Sequence, residues 1–263
     1  MIATVQDRVE FQNLGEQWNA LASRFQTPLL RHEWFAACVE GFCPPDKLAL
    51  FVLSDRHDVS AIAPFALVQT AAGERLEFLG ATILGEPSGF LYRDEDSLQA
   101  LLKAVFLLEK PILVARVPEQ SLEARHMDTM LRGARGFTVK RSSGSPWIPL
   151  NGTWGEFEGR MSSSRRSSLR RLRRRAESLG RVDFDFRTPS SNEVGGLLED
   201  FFAVEASSWK GTLGTAVQQD PRTKRFFTTY AEAEARQGML RLAFLRIDGQ
   251  PIAALVAVES ENR

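Results

Sequence analysis

Apolar residues recur at three- and four-residue spacing in Phe11, Leu14, Trp18 and Leu21, and again in Trp34, Phe35, Cys38 and Phe42. That period predicts two helices with one face turned to a core. The spacing then changes. Leu48 to Leu53 and Ser60 to Val68 are dense in apolar residues and flank the polar run Asp55-Arg56-His57-Asp58, the composition of a β-hairpin. Pro64 has no amide proton to give to a ladder, which predicts an edge or bulged position for the second strand. A short strand over Leu76 to Leu79 leads into the glycine-rich stretch Gly80 to Gly89. Ser97 is placed to cap a helix carrying Leu98, Leu101, Leu102, Val105 and Phe106. A strand over Ile112 to Val114, a helix near Ser121 to Arg132 and strands over Phe137 to Lys140 and Trp147 to Leu150 complete the first half, and Asn151-Gly152 supplies a boundary turn.

After that turn a comparable order begins again. A serine-capped basic helix over about Ser164 to Leu179 is followed by a strand over Val182 to Phe186, a helix with Val194, Leu197, Leu198, Phe201 and Phe202, and a helix over Thr223 to Arg236. Two apolar runs, Leu240 to Ile247 and Pro251 to Val258, then flank Asp248-Gly249-Gln250. Asp-Gly between such runs is a strong hairpin signal, because both central positions of the tight turn take positive φ. Letter for letter, Ala61-Ile62-Ala63-Pro64 of the first hairpin falls on Pro251-Ile252-Ala253-Ala254 of the second. The first half runs well past its hairpin, whereas the second stops at Arg263, which reads as an unfinished second copy.

Length supports two domains: 263 residues and 29.4 kDa exceed the common single-domain size. The division expected is 1–150 and 151–263. Thirty-three basic side chains are balanced by thirty-three acidic ones, so net charge names no polyanionic partner. Cys38 and Cys43 alone build neither a disulfide framework nor a four-cysteine zinc site, and they suit a reducing cytoplasm. No basic region followed by an apolar stretch opens the sequence, so no export signal is expected, and charges interrupt every apolar run before membrane-spanning length.

The segment from Arg165-Arg166 through Leu169-Arg170-Arg171, then Trp209-Lys210-Gly211-Thr212, then Gly238 to Ala253, resembles the GNAT-like acetyltransferases of the CelD/BcsL type, relatives of the FemABX peptidyltransferases. Trp18 to Leu21, Pro28 to Trp34 and Leu76 to Gly80 extend the resemblance into the first half. It implies an α/β (α+β) fold of tandem GNAT-like domains, each a mixed, mostly antiparallel sheet flanked by helices, the second incomplete. It also implies acyl-CoA as co-substrate, a hydroxyl or amine acceptor such as a saccharide or cell-envelope precursor, and no metal. Such chemistry needs donor and nucleophile held together, backbone N–H groups on the carbonyl and a route for the acceptor proton. The family's pyrophosphate loop has no proper copy here: the nearest string, Arg141 to Pro146, ends in proline. The donor site is therefore expected beyond Arg263.

Five features are weighed for a functional role. Arg165, Arg166, Arg170, Arg171, Arg173, Arg174, Arg175 and Arg181 surround a narrow stripe of Leu169, Leu172, Ala176 and Leu179, as in a helix docked on a domain and otherwise solvated. Contact of Arg165, Arg166 and Arg170 with an anionic donor or acceptor is the functional alternative, and nucleic acid a further one without an aromatic platform nearby. Trp209 is expected to fill core, or else to form with Lys210 one wall of an acceptor site. Glu205 falls one turn before Trp209 and is the carboxylate named as a candidate base, on the expectation that the two share a side of one helix. His32, His57 and His126 are isolated and lack metal-ligand spacing. Gly80 to Gly89 lacks a dinucleotide fingerprint and is expected to form a mobile loop facing an interdomain cleft. Neither a serine-hydrolase elbow nor a P-loop occurs. The function expected is acyl transfer from acyl-CoA. The alternatives are a non-catalytic binding module and FemABX-like transfer of an aminoacyl group from tRNA. An unfinished sheet would also expose an edge that favours self-association.

Overall fold

The computed structural model describes residues 2–55, 58–108, 110–132, 136–142, 144, 146, 148–149 and 152–260. The chain divides into two compact units, Met1–Ser145 with Arg225–Tyr230, and Pro146–Lys224 with Ala231–Arg263. The sequence boundary at 150/151 lies a few residues later. Its turn residue Asn151 is outside the described residues, as are Arg56 and His57 of the first hairpin turn and Trp147 and Leu150 of an expected strand.

The first unit contains β1 (Ile2–Val5), α1 (Arg8–Asn13), α2 (Gly15–Ala22), α3 (His32–Phe42), β2 (Leu48–Asp55), β3 (Asp58–Thr70), β4 (Gly73–Phe78), α4 (Ala81–Leu84), β5 (Leu91–Tyr92), α5 (Glu95–Phe106), β6 (Ile112–Leu113) and α6 (Leu122–Leu131). Its sheet runs β1-β2-β3-β4-β6, with β5 also on β3; every pairing is antiparallel except β4 with β6. Both faces are covered, which is why β2 reads as a continuous apolar run rather than an alternating one. Ala49, Phe51, Ala63, Phe65 and Phe78 meet Leu98, Leu101, Leu102 and Val105 of α5. Leu48, Leu50 and Ile62 are equally buried, and α2 packs on β3. Phe65 stacks on Phe78 at 4.9 Å between centroids, and burial of each such side chain contributes about 2 kcal/mol. Phe11 and Trp18 are fully buried, and the Trp18 indole N–H donates to the Leu30 carbonyl at 2.9 Å.

Three expectations are corrected here. Pro64 lies in a central strand, not at an edge or bulge. On the β4 side of β3, β4 covers Phe65 to Thr70 and β5 covers only Ala61 and Ile62. Pro64 falls in the gap, where its missing N–H interrupts no ladder while its carbonyl still accepts from Leu79 N at 2.9 Å. The cap of α5 is Asp94, whose Oδ1 accepts from Ser97 N at 2.8 Å and Ser97 Oγ at 2.6 Å. Residues 137–140 form no strand, and Phe137 and Val139 are exposed. Without a neighbouring strand, their β-branched and aromatic character is not enough.

The second unit contains α7 (Trp154–Arg160), α8 (Ser163–Glu177), β7 (Val182–Arg187), α9 (Val194–Ala206), α10 (Trp209–Thr212), most of α11 (Pro221–Arg236), β8 (Leu240–Ile247) and β9 (Gln250–Val258). Asp220 caps α11 and Pro221 opens it, the favoured place for a proline in a helix. Within α11, Phe226 and Tyr230 belong with the first unit, where each meets Trp34 edge-on at 5.1 Å. The sheet is antiparallel in the order β7-β8-β9. Its turn takes φ of 48° at Asp248 and 80° at Gly249, as the Asp-Gly pair requires.

Each hairpin carries a bulge at the same distance from its turn. Leu53 faces Ala61 while Ser54 faces Val59, leaving Ser60 as the extra residue. Leu245 faces Ala253 while Arg246 faces Pro251, leaving Ile252. Matched by register, Ala61 corresponds to Ala253, two residues beyond the letter-for-letter alignment. Register is set by pairing and bulge position, and short apolar strings do not record it.

Candidate functional site

The candidate residues collect in the second unit, around the end of α9 and along α8. Val194, Leu198, Phe202 and Glu205 recur at helical spacing and are all buried. A carboxylate on that apolar face needs partners, and Glu205 has two. Its Oε1 accepts from the Lys210 ammonium, and its Oε2 accepts from Val217 N at 2.7 Å. The helix stops at Ala206, and Ser208 restarts the chain as α10: its Oγ donates to the Glu205 carbonyl at 2.6 Å and accepts from Lys210 N at 3.2 Å. The corner is tight enough that a Cβ on Gly211 would lie 1.8 Å from the Ala206 carbonyl oxygen.

This break separates what the sequence puts together. Glu205 and Trp209 do not share a helix face: Glu205 turns inward, and Trp209 is 66% exposed. The expectation that Trp209 fills core is therefore wrong. Glu205 and Lys210, in contrast, are brought into an ion pair. The Ser207-Ser208 pair was the signal for the break, since serine side chains compete with the helix for backbone groups.

In α8, Ser162 caps the first turn by accepting from Arg165 N at 3.2 Å. Arg166 is turned back onto the end of α7, donating to the carbonyls of Met161 at 2.6 Å, Gly159 at 3.3 Å and Glu158 at 3.4 Å. A cation there satisfies carbonyls that the helix leaves open. Among the described residues, Arg173 is the only arginine of α8 paired with a carboxylate, that of Glu177 at 2.9 Å. The expected docked stripe is not found. No residue of α8 is buried, and Leu172 and Leu179 are 54% and 67% exposed.

Among the described residues, the sheet of this unit also has one open side, which the sequence reading missed. Leu240, Leu242 and Phe244 are buried, and α9 packs on β9. Phe184, Phe186 and Leu255 point the other way and are exposed. A shallow concavity there is lined by Phe186, Arg241, Ala243, Leu255 and Ala257. The alternation of apolar residues with Asp183 and Asp185 in β7 was the available signal. Both aspartates are partly covered on the packed side, where Asp185 pairs with Arg187 and Arg246.

The other candidates have structural surroundings. His32 is buried against Phe11, with its Nε2 3.1 Å from the Phe11 carbonyl, and burial lowers its pKa. His126 lies 2.8 Å from Glu95; His57 is outside the described residues. The string Arg141 to Pro146 opens no helix among its described residues, and Arg141 pairs with Glu119. The stretch Gly80 to Gly89 holds α4, which packs on β4. Cys38 and Cys43 are buried free thiols. Among the described residues no cluster of histidine, cysteine and carboxylate side chains could hold a metal, and no helix is long and apolar enough to cross a membrane.

Comparison with known proteins agrees with this layout. Residues 163–263 match the acetyltransferase (GNAT) domain family. Over 89% of its length the chain superposes on the crystal structure of FemX, with a TM-score of 0.51 and 13% identity; it covers 56% of that chain. No curated protein matches it. Residues 163–263 are thus similar to a GNAT domain, in a chain whose mixed α/β fold is similar to that of FemX.

Proposed function

We propose that this protein transfers an aminoacyl group from tRNA to an amine or hydroxyl acceptor, in the manner of the FemABX peptidyltransferases. The observation that carries the reading is the extent of the fold likeness: FemX is matched over 89% of the chain, whereas the acetyltransferase family is matched only over residues 163–263. The shared bulge position of the two hairpins supports a tandem arrangement of related GNAT-like halves. The acceptor atom attacks the ester carbonyl of the aminoacyl-tRNA, the ester C–O bond breaks, and the ribose hydroxyl of tRNA leaves with a proton in exchange for the one the acceptor loses.

Arg165, in the first turn of α8, and Arg170, at its middle, are assigned to phosphates of the donor, and the exposed Trp209 to one wall of the acceptor site. Arg166 and Lys210 support them, the first by fixing α8 against α7 and the second by fixing α10. Both oxygens of Glu205 are engaged, which favours a positioning role over that of a base. The second reading is acyl-CoA as donor, favoured by the family description of residues 163–263. Titration of the protein with tRNA and with acetyl-CoA separates the two. The first reading expects tRNA binding that weakens steeply with salt and loses part of that salt slope in Arg165→Gln/Arg170→Gln. Stoichiometric binding of acetyl-CoA with none of tRNA would overturn it in favour of the second.

A further inference from the structure

The least accounted-for element is α8. It is fifteen residues long, carries seven arginines against the single Glu177, and buries no residue. A helix of globular proteins usually owes its stability to an apolar face packed on neighbours, yet Leu169, Leu172 and Leu179 are 36%, 54% and 67% exposed. Leu169, Leu172 and Ala176 follow helical spacing and form one stripe along the helix, which Leu179 continues in the turn just past its end at Glu177. Arg165, Arg173 and Arg175 lie three or four residues from its leucines, so the stripe is flanked by guanidinium groups. On the adjoining α7, Trp154 is 67% exposed.

We propose that α8 is a membrane-surface element that lays its leucine stripe into the interface of an anionic phospholipid bilayer while Arg171, Arg174 and Arg175, which the proposed donor site does not use, hold lipid phosphates. The chemistry of the helix selects this partner in two ways. Its charge is strongly and almost uniformly positive, complementary to an anionic surface. Its stripe is apolar, convex and narrow, suited to shallow insertion among acyl chains with the long arginine stems reaching back to the phosphates. A nucleic-acid backbone would use the arginines and leave the leucines in water. This placement goes beyond the transfer reaction and does not depend on which donor is used.

The test is co-sedimentation of the purified protein, without donor or acceptor, with vesicles of phosphatidylglycerol or of phosphatidylcholine. Binding is expected to phosphatidylglycerol alone and to fall at least tenfold at high salt. Two variants are expected to lose binding about tenfold or more while keeping the native circular dichroism spectrum: Leu172→Glu/Leu179→Glu, and Arg171→Gln/Arg174→Gln/Arg175→Gln. No binding to phosphatidylglycerol would overturn the proposal, and so would binding indifferent to the leucine substitutions. Binding of tRNA that survives the leucine substitutions, with none of vesicles, would assign α8 to nucleic acid instead. Because neither assay includes catalysis, failure here leaves the proposed transfer reaction standing, and failure of transfer leaves this proposal standing.

Discussion

The Asp248 carboxylate accepts a hydrogen bond from the Arg181 amide at 2.8 Å across sixty-seven residues of sequence, and the Asp248 amide donates back to the Arg181 carbonyl at 2.9 Å. The turn of the β8–β9 hairpin is thereby tied to the start of β7. Gly180 makes room for this: a Cβ there would lie 2.2 Å from Asp248 Oδ2. Asp248→Ala is expected to lower stability by about 1 kcal/mol. Gly180→Ala pushes the carboxylate off the amide and puts a side chain on a residue with φ of 156°, so it is expected to cost more. The two effects should add only in part, since losing the carboxylate relieves the clash but not the backbone strain. Urea unfolding of both single variants and the double variant measures the coupling.

Glu205 is the second structural anchor. Glu205→Gln keeps an acceptor for Val217 N but loses the charge facing Lys210, whose side chain is 42% exposed, so a loss of about 1 kcal/mol is expected. Glu205→Ala strips the acceptor from a buried amide and should cost about 2 kcal/mol. Gly211→Ala forces backbone movement against the Ala206 carbonyl and should be at least as damaging. Thermal unfolding ranks the three. If Glu205→Gln unfolds like the wild type and abolishes transfer, Glu205 is a proton carrier and the positioning role is wrong.

His32 gives the first unit a pH dependence near neutrality. Burial lowers its pKa from 6.5, so between that value and its lowered native one the unfolded chain binds more protons than the folded chain. Its contribution is present above pH 6.5 and is lost as pH falls below it. The midpoint of thermal unfolding should drop from pH 7.5 to pH 5.5, and His32→Gln should flatten that drop even though it lowers stability throughout.

Asp94 acts in the acid range. Its hydrogen bonds with Ser97, together with Arg93, hold its pKa at about 2, down from 3.8. The stabilisation is present above 3.8 and fades as pH falls toward about 2. Asp94→Ala is expected to cost about 1 kcal/mol at neutral pH, as loss of a helix cap does, and the gap from wild type should close near pH 2.

What the sequence made legible follows from how local each signal was. The Asp248-Gly249 turn needs two adjacent residues with positive φ, and it was visible from those two letters. The period of Leu98 to Phe106 likewise marked α5. Pro64 was misplaced because whether its missing N–H matters depends on where β4 ends and β5 begins, a fact about other strands. Asp94 took the capping role expected of Ser97 because it lies at the true start of the helix. At the candidate site, Glu205 and Lys210 were both singled out, but their pairing depends on the chain breaking at Ser208. The exposure of Leu172 and Leu179 could not be read from their spacing, which is the same for a stripe that is packed and for one that is not.

The proposed chemistry turns on which group is transferred. The most direct measurement incubates the protein with tRNA charged with a radiolabelled amino acid and, separately, with radiolabelled acetyl-CoA, each with a panel of amine and hydroxyl acceptors that includes saccharides and peptide-bearing envelope precursors. The expected result is label moving from tRNA to an acceptor, with none moving from acetyl-CoA. Label moving from acetyl-CoA while the charged tRNA stays intact would contradict it.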